Sequence, residues 1–268
     1  MTVTEGTVDV GVRLAYTEAR RGDPPLLLLH GMACERRQYD AQVRHQSATH
    51  RVVALDLRGH GDSEKPRGDY TTETMVEDVR RVIEELGLDR PVVVGHSRGG
   101  SLALALADAH PDLTRALVLL DTGLRPPSDR QLDLAPFYAM LGGPDHAERV
   151  RRFCIDTMLE PTDGADIIER IAGTMADVPP YVFQAMAESV MSFDNWAAAR
   201  RCPVPGLFIL AEKPTFLGEG VLDSLPDNWR VSRVVGAGHF VHVVVPDQVN
   251  AMIDRFLELL SETVTQPA

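Results

Sequence analysis

The chain has 268 residues, 44% of them hydrophobic and 25% charged, which is typical of a single globular domain with a sizeable core. Its formal net charge is -12, and no run of lysines or arginines interrupts this acidic balance. Such a surface is not suited to releasing counterions from phosphates, so we do not expect nucleic acid as a partner.

Targeting signals and cysteine pairs are not expected either. Polar and acidic positions occur throughout residues 1–24, unlike the basic and then apolar order of a signal peptide, and no apolar run approaches membrane-spanning length. We therefore expect a cytoplasmic protein without a membrane partner. Cys34, Cys154 and Cys202 are widely spaced and odd in number, which predicts reduced packing thiols rather than disulfides or a zinc site.

Short apolar runs that end in polar or glycine-rich turns predict a series of β-strands. An opening hairpin is expected over residues 7–18, and further strands are expected at 26–30, 52–57, 92–96, 116–121, 207–211 and 231–235. Apolar positions spaced by three and four residues predict helices at 36–46, 72–86, 98–109 and 246–261. This alternation indicates an α/β fold, with a mostly parallel sheet of about eight strands flanked by helices.

The strand signal is absent from residue 123 to about residue 200. Within this stretch, the segments 144–159, 164–176 and 180–191 have helical periodicity and are separated by breaks that contain proline or glycine. We expect a helical cap over residues 123–200, inserted after the sixth strand into a core made of residues 1–122 and 201–268. No repeat or flexible linker separates the two, so they should act as one folded unit.

The strongest local signal for chemistry is the run Val92-Val93-Val94-Gly95-His96-Ser97-Arg98-Gly99-Gly100. It places a serine in a tight turn between a buried strand and a helix, the G-x-S-x-G arrangement. The glycines remove side chains that would clash, and the N-terminus of the helix stabilises negative charge that develops at the serine. The pattern predicts that Ser97 is a nucleophile; the alternative is a glycine-rich turn with an inert serine.

With this motif, the chain resembles the α/β-hydrolase superfamily over nearly its whole length. His30-Gly31-Met32 follows the third strand, where the resemblance implies a loop that donates one main-chain N–H to an oxyanion. The second donor is then the residue after the nucleophile, so the implied oxyanion hole consists of the N–H groups of Met32 and Arg98. Asp56-Leu57-Arg58-Gly59-His60-Gly61-Asp62-Ser63 resembles the turn after the fourth strand, and we expect it to shape the core.

The run Val235-Gly236-Ala237-Gly238-His239-Phe240 lies between the last strand and the last helix, where the superfamily carries its catalytic histidine. Serine is a poor nucleophile at neutral pH, so an imidazole must take its proton and later protonate the leaving group. The Gly-x-Gly-His context favours His239 as this general base. His242, three residues further on, is the alternative base, and otherwise a loop histidine near the cap.

The acid of the triad departs from the common pattern of the superfamily. An aspartate usually follows the seventh strand, but here residues 207–211 are followed by Glu212-Lys213-Pro214-Thr215. We expect Asp121, at the end of the sixth strand, to hold the imidazole in one tautomer; Glu212, or no acid at all, is the alternative. The chain resembles two branches with their acid there, lactonases such as the zearalenone-lactone hydrolases and the cofactor-free hydroxyquinolone dioxygenases.

His30, Trp196 and His242 are the candidates for the substrate pocket, although Trp196 is as well suited to packing on its cap neighbours. The Arg98 side chain is expected to face solvent or to pair with a cap carboxylate, and a substrate carboxylate or phenolate is the alternative. Metal-binding H-E-x-x-H, P-loop and complete dinucleotide motifs are missing from the sequence. No metal or organic cofactor is implied.

Three functions remain open. The favoured one is hydrolysis of a small apolar or aromatic carboxylic ester or lactone through an acyl-enzyme. The second is a cofactor-free, ring-cleaving dioxygenase with a His239–Asp121 dyad, although that branch usually has a histidine where this chain has Arg98. The third is a non-catalytic ligand-binding protein, which the missing aspartate near Pro214 suggests. The sequence leaves the substrate and the oligomeric state open.

Overall fold

The computed structural model describes residues 3–19, 22–125, 141, 143, 145–190 and 193–264. Its strands are β1 (Val3–Asp9), β2 (Arg13–Ala19), β3 (Leu26–Leu29), β4 (Val52–Leu55), β5 (Val92–His96), β6 (Ala116–Leu120), β7 (Gly206–Leu210) and β8 (Trp229–Arg233). They form one sheet in the order β1-β2-β4-β3-β5-β6-β7-β8. β2 is antiparallel to both of its neighbours, and the six strands from β3 through β8 are all parallel to one another. The predicted mostly parallel, eight-stranded sheet is confirmed.

The central strands are buried on both faces, as continuous apolar runs in parallel sheets require. Successive side chains of a strand point to opposite faces, and β3 divides in this way. Leu27 and Leu29 belong to one apolar cluster, whereas Leu26 and Leu28 belong to the other. The two clusters are the two layers of core that helices cover.

Helices flank the sheet at the predicted places. The core helices are α1 (Asp40–Gln46), α2 (Thr72–Glu85), α3 (Arg98–Ala109), α8 (Val241–Val244) and α9 (Pro246–Val264). α2 and α3 pack together on one face, and α1, α8 and α9 pack together on the other. The predicted bounds of α3 agree with the structure, and α1 is preceded by a 3₁₀ turn over Arg36–Tyr39.

Between β6 and β7, the described residues form four helices, α4 (His146–Phe153), α5 (Ala165–Ala176), α6 (Pro180–Val190) and α7 (Asn195–Arg201). A π-helical turn over Cys154–Met158 extends α4. The helices predicted in this stretch are therefore present, whereas the cap bounds of 123–200 stay a prediction because residues 126–140 lie outside the described ones.

The insertion packs directly on the core. Met175 and Phe183 are fully buried and share the apolar cluster of the α2–α3 face with Leu29 of the sheet. The three cysteines are free and buried, as expected for packing residues. Among the described helices, none combines the length and the apolar character needed to cross a membrane.

Candidate active site

Ser97 lies in the turn between β5 and α3, in a strained backbone conformation. Its φ of 49° and ψ of -115° are sparsely populated by non-glycine residues and persist only where the surroundings hold them. The Ser97 N–H donates to the Leu120 carbonyl at 3.0 Å, and its own carbonyl accepts from the Gly100 N–H at 3.0 Å. Ser97 is thereby fixed at the carboxyl end of β5, directly before the N-terminus of α3.

The glycines around Ser97 are required by close backbone approaches. A Cβ on Gly99 would lie 2.0 Å from the Leu29 carbonyl oxygen, and one on Gly95 would lie 2.5 Å from the Gly100 nitrogen. A Cβ on Gly100 would lie 1.9 Å from Thr122 Oγ1. Only glycine allows α3 to start this close to β3 and β5, which explains the G-x-S-x-G-G pattern.

The structure brings His239 and Asp121 together. His239 Nδ1 lies 2.7 Å from Asp121 Oδ2, and both side chains are buried, with exposed fractions of 2% and 3%. Asp121 Oδ1 accepts a second hydrogen bond from the Ala211 N–H at 3.0 Å. Because a carboxylate accepts hydrogen bonds, Nδ1 of His239 is the donor, and in the neutral imidazole Nε2 is then the nitrogen with the lone pair. This arrangement defines the tautomer of the neutral imidazole.

His239 is anchored next to the Ser97 turn from the core side. His96, the residue before Ser97, donates from Nε2 to the His239 carbonyl at 3.0 Å, and the two ring centroids are 4.6 Å apart. The sequence motif alone does not indicate a role for His96. Its position between the motif glycine and the serine was the signal that it lies at the turn, but only the fold shows that it contacts the histidine loop.

The helical insertion holds the same loop from the other side. The His239 N–H donates to the Met158 carbonyl at 3.0 Å, and the Gly238 N–H donates to Asp163 Oδ1 at 3.3 Å. Phe216 packs edge-on against the imidazole, with 5.1 Å between the ring centroids. Core and insertion together therefore define where the imidazole lies. No sequence signal pointed to Met158 or Asp163.

Neither of the alternative residues takes part in this pair. Glu212 is exposed, and its Oε2 accepts from the Gly236 N–H at 2.9 Å, so it supports the turn after β8. His242 is fully buried on α8 against the rings of His96 and Tyr39. Neither nitrogen of its ring has a hydrogen-bond partner among the described residues, and burial lowers its pKa to about 3. His242 is thus a neutral packing residue.

The loop after β3 passes directly by the serine. A Cβ on Gly31 would lie 3.3 Å from Ser97 Cβ and 2.8 Å from His96 Nδ1. Met32, the first expected oxyanion donor, follows Gly31 and is buried; Arg98, the second, opens α3. The two N–H groups implied by the resemblance therefore belong to segments that lie close to Ser97, and their role as an oxyanion hole stays a prediction.

His30 holds the neighbouring loops rather than a ligand. Its Nδ1 donates to the Gly31 carbonyl at 2.7 Å, and its Nε2 accepts from the Leu57 N–H at 3.0 Å. Both nitrogens are thus used by the main chain, and burial lowers the pKa of His30 to about 4. His60 acts similarly by accepting from the Ala33 N–H at 3.1 Å. Neither ring nitrogen of His30 is therefore left to bind a ligand, as the expected pocket role would require.

Two other candidates differ in their surroundings. Trp196 is half-buried on α7, and the guanidinium of the exposed Arg200 lies 4.8 Å from its ring centroid. The Arg98 side chain was expected to face solvent or to pair with a cap carboxylate, and this expectation was wrong. It is 4% exposed and donates from Nη2 to the hydroxyls of Thr72 and Ser189.

Within the described ranges, no group of three or more His, Cys, Asp or Glu side chains is arranged to hold a metal ion. The described side chains that lie near the Ser97 turn include the imidazoles of His96 and His239, which the contacts above place next to it. A hydroxyl, an imidazole and main-chain N–H groups are the components that nucleophilic acyl transfer uses.

Comparisons with known proteins agree with the fold. Residues 24–162 match the family model of the alpha/beta hydrolase fold. Human epoxide hydrolase 4 is 34% identical over 116 residues, 42% of this chain and 32% of that protein, so the match spans about a third of its length. In a search of solved structures, a thermophilic esterase from Thermogutta terrifontis superposes with a TM-score of 0.85 at 24% identity, covering 97% of this chain and 99% of that one.

An enol-lactonase from Burkholderia xenovorans LB400 has a TM-score of 0.83 at 20% identity, with 94% of this chain and 100% of that chain covered. At these identities, the structural neighbours show the fold alone. The family model, by contrast, matches more than half of the sequence and includes the Ser97 turn. The chain belongs to the α/β hydrolase fold family.

Proposed function

We propose that the protein hydrolyses small carboxylic esters or lactones, with Ser97 as nucleophile, His239 as general base and Asp121 as the acid that orients it. The observation that carries the proposal is the buried 2.7 Å hydrogen bond from His239 Nδ1 to Asp121, beside the strained Ser97 turn. It leaves Nε2 as the nitrogen that can take a proton.

The first half of the reaction forms an acyl-enzyme. Ser97 Oγ attacks the ester carbonyl carbon as its proton moves to His239 Nε2, and the electron pair of the carbonyl π bond moves onto oxygen. The N–H groups of Met32 and Arg98 bind that oxyanion; losing one such donor typically costs about 2.7–4 kcal/mol of transition-state stabilisation. The carbonyl then re-forms, the C–O bond to the alcohol breaks, and His239 gives its proton to the leaving oxygen.

The second half restores the enzyme. Water attacks the acyl carbon while His239 Nε2 takes one of its protons, and a second oxyanion forms in the same hole. The bond to Ser97 Oγ then breaks, Oγ regains the proton from His239, and the carboxylic acid leaves. A lactone follows the same steps, except that its alcohol stays attached to the acyl group until the acid is released.

Sequence similarity to epoxide hydrolases raises the question of epoxide opening. A serine hydroxyl that attacked an epoxide carbon would form an ether, which has no carbonyl group for water to attack. The enzyme would stop after one turnover, because hydrolysis of the covalent intermediate needs an acyl carbon. The serine at position 97 therefore supports acyl transfer rather than epoxide hydrolysis.

The two alternative functions have less support. A receptor was suggested by the missing aspartate after β7, but Asp121 supplies a carboxylate to His239 from β6. A dioxygenase would use the His239–Asp121 pair to deprotonate a hydroxylated ring, and it would have no need for the strained Ser97 conformation. Consumption of oxygen when the protein is mixed with hydroxylated heteroaromatic compounds would favour the dioxygenase.

Covalent labelling tests the nucleophile. An active-site-directed fluorophosphonate should modify Ser97, identified by peptide mass spectrometry, and Ser97→Ala should remove both the label and the ester hydrolysis. Labelling at another residue, or hydrolysis that survives in Ser97→Ala, contradicts the proposal.

A matched pair of variants tests the acid. Asp121→Asn should lower kcat by about 10⁴-fold, because the amide no longer fixes the productive tautomer of His239. Glu212→Gln, an equally conservative change at an exposed residue on the neighbouring loop, should change kcat by less than about twofold. The reverse order of effects would identify Glu212 as the acid.

A further inference from the structure

The guanidinium of Arg98 is buried where the core meets the helical insertion. Its Nη2 donates to Thr72 Oγ1, at the start of α2, at 2.9 Å, and to Ser189 Oγ, on α6, at 2.8 Å. Thr72 belongs to the core and Ser189 to the insertion, so the side chain lies in the seam between them. Arginine seldom occupies such a position without a carboxylate partner.

Among the described residues, most N–H donors of this buried cation have no hydrogen-bond partner. A guanidinium has five N–H donors, and both hydrogen bonds come from Nη2. Nε is buried and has no partner within the described part of the chain. Exposed Glu73 attracts the charge electrostatically, with no hydrogen bond to it. Burial lowers the pKa of Arg98 to about 10, so the group stays cationic at neutral pH, and no carboxylate among the described residues is hydrogen-bonded to it.

The position of Arg98 relates this charge to the reaction. Arg98 directly follows Ser97, and consecutive Cα atoms are about 3.8 Å apart. Its main-chain N–H is one of the two oxyanion donors proposed above, and its side chain extends into the seam between core and insertion. An anion bound by the guanidinium would therefore lie in this seam, next to the turn that carries Ser97.

We propose that the Arg98 side chain binds a carboxylate of the substrate, so that the preferred esters are acidic ones, such as monoesters of dicarboxylic acids. This rests on the proposed ester hydrolysis and names its substrate class. A planar carboxylate matches the guanidinium fork and supplies a negative charge that none of the described side chains places in hydrogen-bonding contact with it. A neutral ester would leave the donors unpaired, and sites built to hydrogen-bond a substrate group discriminate strongly against analogues that lack it.

The alternative is that Arg98 only pins the insertion to α2 through the two hydroxyls. Monomethyl glutarate and dimethyl glutarate separate the two roles, because they share the reacting ester and differ in one charge. For substrate binding, the ratio of kcat/KM for the monoester to that for the diester should fall by roughly 10- to 100-fold in Arg98→Met. Arg98→Lys, which keeps the charge without the fork, should give an intermediate ratio.

A ratio that is unchanged in Arg98→Met overturns the inference, whatever happens to the absolute rates. Thr72→Val combined with Ser189→Ala is the matched control, because it removes the pinning hydroxyls and keeps the guanidinium. This control should retain the preference for the monoester. Loss of that preference in the control, together with its retention in Arg98→Met, would assign the selectivity to the hydroxyls and also overturn the inference.

A binding measurement keeps this inference separate from the proposed reaction. Titration calorimetry with glutarate should detect binding to Ser97→Ala and roughly tenfold weaker binding to Ser97→Ala/Arg98→Met. Binding without any hydrolysis by the native protein would reject the ester reaction and keep the anion site. Hydrolysis by the native protein with no monoester preference and no glutarate binding would reject the anion site and keep the reaction, even if the Arg98 variants did not fold.

Discussion

Ser97 and Asp121 directly follow the adjacent strands β5 and β6, and both are non-glycine residues with positive φ, 49° and 40°. The Asp121 N–H donates to the Ile209 carbonyl at 2.8 Å, while its carboxylate accepts from Ala211 and His239. The strained aspartate therefore ties β6 to β7 and orients the imidazole at once. Strain of this kind, typically about 1–3 kcal/mol per residue, is retained where the surrounding structure holds it in place.

A second buried carboxylate organises the loops that lead to the site. Asp56, which is fully buried, accepts hydrogen bonds from the main-chain N–H groups of Arg36 and Asp62. It also forms an ion pair with the guanidinium of Arg36, which is 2% exposed. The pair joins the segment after β3 to the turn after β4. The motif from Asp56 to Ser63 was predicted to shape the core, and these contacts explain how.

Removal of the Arg36 charge should therefore be costly. Arg36→Met leaves Asp56 buried without its cation, and we expect a loss of about 3–5 kcal/mol in the free energy of unfolding. Arg37→Met is the matched control: Arg37 is 43% exposed and contacts Asp62 at the surface, so its loss should cost less than about 1 kcal/mol. Urea denaturation of both variants checks this, and equal losses would contradict it.

At the scale of elements, α3 is positioned by backbone contacts that only glycine permits. Gly99 brings the first turn of the helix against the Leu29 carbonyl of β3, where a Cβ would be 2.0 Å from the oxygen. Since the obstacle is backbone in the centre of the sheet, no side-chain rotation can relieve it. The location of Ser97 thus depends on how closely a helix can approach a strand.

Two glycine-to-alanine changes test this point. Gly99→Ala should lower the free energy of unfolding by about 3 kcal/mol or more, because helix and strand must separate. Gly173→Ala lies inside α5, where a Cβ would meet nothing within 4 Å, and it should raise stability by roughly 0.5–1 kcal/mol. Thermal and urea unfolding measure both. A neutral Gly99→Ala would show that α3 can shift without cost.

The element predictions succeeded where burial dictated the pattern and failed at the edges of the sheet. β5 and α3 were predicted with their observed bounds because a fully apolar strand meets a glycine turn. β8 was expected at 231–235 but spans Trp229–Arg233. Its register is set by Trp229, which covers Gly206 of β7, while Val231 and Val235 are exposed. An apolar run therefore predicts the wrong strand bounds when a contact with a glycine far away in sequence determines which residues are buried.

At the scale of the whole molecule, the candidate site could likewise be predicted from the sequence only in part. The motifs pointed to Ser97, His239 and Asp121, and the hydrogen bond between the last two could be expected because their strands end at one edge. The contacts of Met158 and Asp163 with the His239 loop could not, since they join segments about 80 residues apart; Met158 ends a π-helical turn and Asp163 a 3₁₀ turn. Nor could the burial of Arg98, because its hydroxyl partners come from two separate helices.

The core also contains several histidines that burial keeps neutral. Burial lowers the pKa of His30 to about 4 and those of His60 and His242 to about 3, and it lowers the pKa of His96 well below its usual value. The His96 and His242 rings are 4.6 Å apart, so a proton on either would repel a proton on the other. Protonation of these histidines at low pH is therefore unfavourable in the interior of the fold, next to the candidate site.

The sign of the pH dependence follows from these values. In the unfolded chain, histidine has a pKa of about 6.5, so each of these side chains takes up a proton on unfolding below that pH. For His30, His60 and His242, this contribution to stability is complete above about pH 6.5 and is lost as the pH falls to between 3 and 4, where these side chains are also protonated in the folded protein. Each histidine contributes a slope of about 1.4 kcal/mol per pH unit to the free energy of unfolding.

His242→Phe should therefore reduce the pH dependence of unfolding by about 1.4 kcal/mol per pH unit between pH 5.5 and 4, because one proton fewer is taken up. Tyr39→Phe is the matched control: it alters the ring that packs on His242 and removes the hydrogen bond to the Leu29 carbonyl, but no group that titrates in acid. Its stability should fall equally at every pH in this range. Urea denaturation at a series of pH values gives both slopes, and a His242→Phe slope equal to that of the native protein would show that His242 is protonated in the folded state.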